Sequence, residues 1–289
     1  MRIFLLPITT RQSRAIVYCE RLHQTVAPGT KPPIAERIVN KATTTWNSWE
    51  KAEKGWQKRL VDFTNTTIFK RIPYQERALQ SFPALNARTI KAINDKQLQF
   101  RCLYPGAFVK GDKVVDVLGQ LAKERQAFHW QRLVYCLIGM PISAPFMIVP
   151  VIPNLPFYYL CYRAYCNWKA LYGAKTLDHL VEKKLVGVEP SPKLDELYTA
   201  GLQQSPSIGA STQQARPTST EKTERTQKVT TDGEEIMLLS RSTAQHIATA
   251  FVPELQSEVE RAVEQVESAL AKERGEEQAQ ARQEKDKTQ

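Results

Sequence analysis

Between Arg132 and Arg163 the chain runs for thirty residues, Leu133 to Tyr162, without Asp, Glu, Lys or Arg. The segment reads LVYCLIGMPISAPFMIVPVIPNLPFYYLCY. In a chain that is 24% charged, a run of that length has to leave water. Apolar stretches beyond about 18 residues are candidates to cross a bilayer. Five prolines complicate the crossing: Pro141, Pro145, Pro150, Pro153 and Pro156. A proline inside a helix removes a backbone donor and interrupts the hydrogen-bond ladder. In hydrocarbon nothing else satisfies the freed carbonyls, so a straight lipid-exposed helix fits poorly. The reading is a proline-rich membrane helical hairpin over 133–162. Its turn falls at PVIPNLP, residues 150–156, where Asn154 can cap. A single crossing, a shallow re-entrant insertion and a hairpin buried in a soluble core are the alternatives.

Flanking charge supports the hairpin. Lys123, Arg125 and Arg132 precede the run, and Arg163, Lys169 and Lys175 follow it. Cationic flanks stay on the non-translocated side; a hairpin keeps both there and a single crossing does not. The residues expected to insert are Leu133, Pro141, Pro145, Pro150, Pro153, Asn154, Pro156 and Tyr162. Arg132, Arg163, Trp168 and Lys169 are expected to meet lipid headgroups, and Tyr162, Tyr165, Trp168 and Tyr172 resemble an interfacial belt. The net charge of +10 suits anionic lipids as the partner. No zinc-type spacing, RRM-like motif or phosphate loop points to nucleic acid.

The five cysteines, Cys19, Cys102, Cys136, Cys161 and Cys166, form no CxxC pair. They read as reduced, apolar-behaving thiols. The first 22 residues hold Arg2, Arg11, Arg14 and Arg21 with no acid before Glu20. That composition suits a mitochondrial targeting segment; the alternative is an N-terminal strand, RIFLLPI, followed by a short helix.

Residues 23–132 read as a helical region. Ile34, Ile38, Ala42, Thr45, Trp49, Ala52, Trp56, Leu60 and Phe63 recur at three- and four-residue steps, giving an amphipathic stripe that packs on another helix or lies in a membrane interface. A helix over 114–131 leads into the apolar run. Residues 163–202 continue as juxtamembrane helix, with Gly173 as a stop or kink. Ser, Thr, Gln and charge dominate 203–235, a disordered linker. Within 236–289, Ile247, Phe251, Leu255, Val259, Ala262, Val266 and Leu270 form a last stripe, read as a coiled-coil or docking helix with a frayed tail. The fold class is therefore mostly α: amphipathic helices, the membrane hairpin, a disordered linker and a C-terminal helix.

Three segments together resemble the mitochondrial K+–H+ exchange-related family: MRIFLLPI at the start, FKRIPYQERAL at 69–79, and IPNLPFYYLCYRAYCNWKALYG at 152–173. The third is the distinctive string. The resemblance covers residues 1 to about 190. It implies a mitochondrial, inner-membrane protein linked to potassium–proton exchange, and carries no mechanism-bearing residues over to this chain.

The residues add a constraint of their own. An exchanger needs a proton-titrating group, usually a carboxylate, inside its path, and there is no carboxylate between Arg132 and Arg163. One hairpin also cannot wall off an alternating-access site. The chain is therefore expected to act as a subunit or regulator, as a homo-oligomer or with other inner-membrane proteins. A membrane-anchored assembly or scaffold factor is the alternative. His129 and Glu124 are the candidate titrating groups at the rim, although a lone His beside Trp130 at a helix end is more often structural. Asp178 and His179 are neighbours in sequence and do not face each other on a helix. There is no GxSxG, HExxH or Walker motif, so the chain is expected not to be an enzyme and to use no cofactor or metal.

Overall fold

The computed structural model describes residues 1–11, 13–20, 72–95, 97–145, 155–204 and 235–287, with Thr44, Gly55, Lys58 and Arg59. The chain divides into two units, Met1–Arg21 with Tyr74–Gln289, and Leu22–Pro73. Most of the second unit, and with it the tryptophan-bearing stripe at 34–63, lies outside the described residues, as does most of 203–235.

The first unit is built on a sheet. β1 (Arg2–Pro7) and β2 (Ala15–Glu20) form an antiparallel hairpin, closed by the Ile8 amide donating to the Arg14 carbonyl. β3 (Phe100–Tyr104) lies parallel to β1, and β4 (Val186–Pro190) parallel to β3. The order is β2-β1-β3-β4.

Both faces of the hairpin strands are covered, so RIFLLPI and AIVYCE show no polar alternation. Ile3, Leu5, Val17 and Cys19 point to one face. They pack with α1 (Tyr74–Gln80), α2 (Ala87–Asn94), α3 (Gly111–Ser143) and α4 (Leu155–Glu182) through Leu79, Ile93, Leu118 and Leu177. Phe4, Leu6, Ile16 and Tyr18 point to the other. They pack with α5 (Pro192–Gln204), α6 (Arg241–Ala250) and α7 (Leu255–Lys287) through Tyr198, Ile247, Val259 and Val263.

Local signals place the helix ends. Pro192 opens α5, where its missing amide costs nothing. The Ser240 hydroxyl accepts from the Thr243 amide and caps α6. The chain leaves α4 through Lys184 in the left-handed region, at φ 53°.

These findings correct the mostly-α expectation. A four-stranded mixed sheet forms the centre. Among the described residues no helix is long and apolar enough to cross a membrane, which overturns the membrane hairpin. The physical reason is where the uncharged run falls. It is shared between the end of α3 and the start of α4, and each helix continues into charged, sheet-packed turns. The apolar part of α3, Leu133 to Ser143, rises only about 16 Å at 1.5 Å per residue, against a hydrocarbon core of about 30 Å.

Three further readings change. Residues 15–20 are strand, not helix. Gly173 does not stop α4: an added Cβ there would overlap the Leu79 carbonyl, so the glycine lets α1 lie directly on α4. The C-terminal stripe spans two helices and covers this chain's own sheet.

Candidate functional site

α3 and α4 run antiparallel. Gln126 Nε2 donates to Asp178 Oδ2 at 3.0 Å, His129 meets Asn167 at 3.1 Å, and Gly139 lies against Leu160. Along this pair the environment changes twice. The base, with Val114, Leu118, Ala122, Ala174, Leu177 and Leu180, is core against the sheet. Next comes a polar waist, and beyond it an apolar tip.

The waist is built from one acid, one base and two neutral groups. Arg163 on α4 donates twice to Glu76 on α1, at 2.6 and 2.9 Å, and Glu76 is fully buried. Desolvation opposes the guanidinium's charge, but the hydrogen bond and charge of Glu76 outweigh it and hold Arg163 above its ordinary value. The Asn167 amide donates to the Arg163 carbonyl at 2.7 Å, so its oxygen is left to accept from His129 Nδ1. His129 Nε2 is buried and has no hydrogen-bond partner. Burial lowers the His129 pKa below the ordinary 6.5, against the Asn167 hydrogen bond and the Glu76 charge, with Arg125 and Arg163 reinforcing the decrease. The imidazole is thus held neutral.

The tip has a small core of its own, Leu133, Cys136, Ala164 and Leu171, with Met140 and Leu160 against it. Its outer surface is also apolar. Tyr135 is 67% exposed, Leu137 53%, Ile138 57%, Ile142 69% and Tyr158 60%. Exposed Trp130, Tyr159, Tyr162 and Trp168 continue this surface toward the waist. Nearly every exposed large hydrophobic side chain among the described residues sits on this hairpin. A contiguous patch of this kind marks a surface that something covers.

The residues expected from sequence to insert divide accordingly. Leu133 is buried in the tip core, while Pro141, Pro145 and Tyr162 are exposed. Pro141 lies within the last turn of α3, where the Ser143 hydroxyl donates to the Met140 carbonyl at 2.9 Å. Pro156 falls in the first turn of α4, where a missing amide is harmless. Pro150, Pro153 and Asn154 lie outside the described residues. Of the four expected headgroup contacts, Arg132 is exposed with its guanidinium 4.9 Å from the Phe128 ring centre, Trp168 is exposed and Lys169 half-buried. Arg163 is turned inward and committed to Glu76. Glu124 is exposed and bonded within α3 to Gln120. No group of metal-ligating side chains occurs among the described residues.

Sequence reasoning missed Glu76, Asn167 and the outward face of the tip. A signal for the first existed. Glu76 lies in FKRIPYQERAL and Arg163 in the YRAY string, so two of the three family-like segments meet in one buried ion pair. The third, MRIFLLPI, is the interior strand β1.

Comparison with known proteins follows the same outline. Residues 2–181 match a family described as mitochondrial K+–H+ exchange-related. That span runs from β1 to the end of α4 and includes sheet strand, waist and tip. An uncharacterised protein of Schizosaccharomyces pombe is 30% identical over 205 residues, 70% of this chain and 85% of its own length. An uncharacterised protein of Saccharomyces cerevisiae is 27% identical over 211 residues, 65% of each chain. No solved structure matches.

Proposed function

Because the chain belongs to the mitochondrial K+–H+ exchange-related family, we propose that it contributes to potassium–proton exchange at the mitochondrial inner membrane as a subunit or regulator, not as the conducting element. The observation that supports this division of labour is the exposed apolar tip. It offers a docking surface and no Asp, Glu, Lys, Arg or His side chain from Leu133 to Tyr162. A transported proton or potassium ion needs such a group or a polar path. The nearest carboxylate, Glu76, is closed off by its two bonds to Arg163. The role is non-catalytic, carried by binding at the tip.

The test is passive swelling of mitochondria in potassium acetate after deletion of the gene. Slowed swelling, restored by the wild-type chain, is the expected result. Normal swelling with disassembly of an inner-membrane complex on native gels would instead make the protein an assembly factor.

A further inference from the structure

The tip differs from an ordinary docking face in being apolar all the way round. At 100° per residue, Tyr135, Leu137, Ile138 and Ile142 spread over about 160° of the outer side of α3. Leu133, Cys136 and Met140 fill the inner side against α4. An element hydrophobic on every side belongs in a core or in lipid. A flat protein partner would cover one sector of the tip and leave the rest in water; a lipid phase surrounds it.

The charge around the tip has one sign. From Lys123 to Lys175 the chain holds Lys123, Arg125, Arg132, Arg163, Lys169 and Lys175 against the single acid Glu124. With Arg163 neutralised by Glu76, Arg132 is the exposed cation next to the apolar surface. Trp130 and Trp168, 56% and 45% exposed, stand at this boundary, the level where indole rings favour a headgroup layer. The apolar length of about 16 Å is half the hydrocarbon thickness.

We propose that the tip is a peripheral lipid-binding surface. It seats against one face of an anionic membrane, with Tyr135, Leu137, Ile138 and Ile142 among the acyl chains and Arg132 at the phosphates. No helix crosses. The inference rests on the reading of the tip as the functional surface, and names what covers it.

The test is co-sedimentation of the full-length protein with phosphatidylcholine vesicles, with and without phosphatidylglycerol. Binding is expected with the anionic vesicles. Ile138→Glu with Ile142→Glu is expected to reduce the bound fraction by about tenfold or more, since each loses a buried aliphatic group. Its thermal melt should match the parent's, because both positions lie outside the tip core. Arg132→Glu should weaken only the anionic preference. The inference is overturned if the parent stays in the supernatant with both vesicles, or if the double variant binds like the parent. It is also overturned if light scattering shows a dimer that the double variant loses, because a second copy would then cover the tip. Swelling separates the two readings. Slow swelling after gene deletion without vesicle binding sinks the lipid surface alone. Vesicle binding with normal swelling sinks the exchange role alone.

Discussion

The base and the tip of the α3–α4 pair are the same two helices in different company. At the base, small and aliphatic residues on one stripe meet the sheet while Lys123, Glu124 and Lys175 face water. At the tip the stripe widens to the whole circumference and nothing in the described chain covers it. Between them lies the Glu76–Arg163–Asn167–His129 waist. An apolar side chain therefore contributes to stability at the base and to association at the tip, and the waist separates the two roles.

The sharpest way to break the comparison is at the waist. Glu76→Ala leaves the Arg163 guanidinium buried without its acid and is expected to cost about 3–5 kcal/mol, read from urea unfolding. Next, Leu177→Ala at the base is expected to cost about 2–5 kcal/mol. Leu137→Ala at the tip should change stability by no more than about 0.5 kcal/mol. Equal losses at the two sites would erase the distinction. Gly173→Ala forces α1 off α4 and is expected to cost about 1–3 kcal/mol, as overpacking does.

The smallest effect is in pH. His129 has a folded pKa below its unfolded value, so the unfolded chain takes up the proton first. Its neutral form supports stability above about pH 6.5, and that support is lost as pH falls below it. His129→Gln, which can still donate to Asn167, should flatten the decline between about pH 7 and 5. An unchanged slope would assign the acid sensitivity elsewhere.

The sequence made the uncharged run, the helices on either side of it and the C-terminal stripe legible, because each carries a periodic or compositional signal. It hid what those signals face. Val259 and Val263 look the same whether they meet a partner or this chain's own Phe4 and Ile16, and the structure gives the latter. The strands were harder to read. Ile3, Phe4, Leu5 and Leu6 are buried on both faces, so the period of two is absent. The arginines that suggested targeting also serve the fold: Arg2 pairs with Glu20, and Arg14 with Glu235 and Glu273. No spacing rule joins a lone Glu76 to a lone Arg163, so only their places in two family-like segments hinted at the waist.

The interior position of β1 also sets a schedule. Its hairpin partner β2 follows at once, yet its parallel neighbour β3 begins at Phe100 and the helices over its second face come later still. Tyr198 donates to the Pro7 carbonyl across 191 residues, and Thr9 to Glu235 across 226. Such distant closures slow folding. Until β3 and those helices are made, β1 can pair only with β2, and both apolar faces of that hairpin stand uncovered.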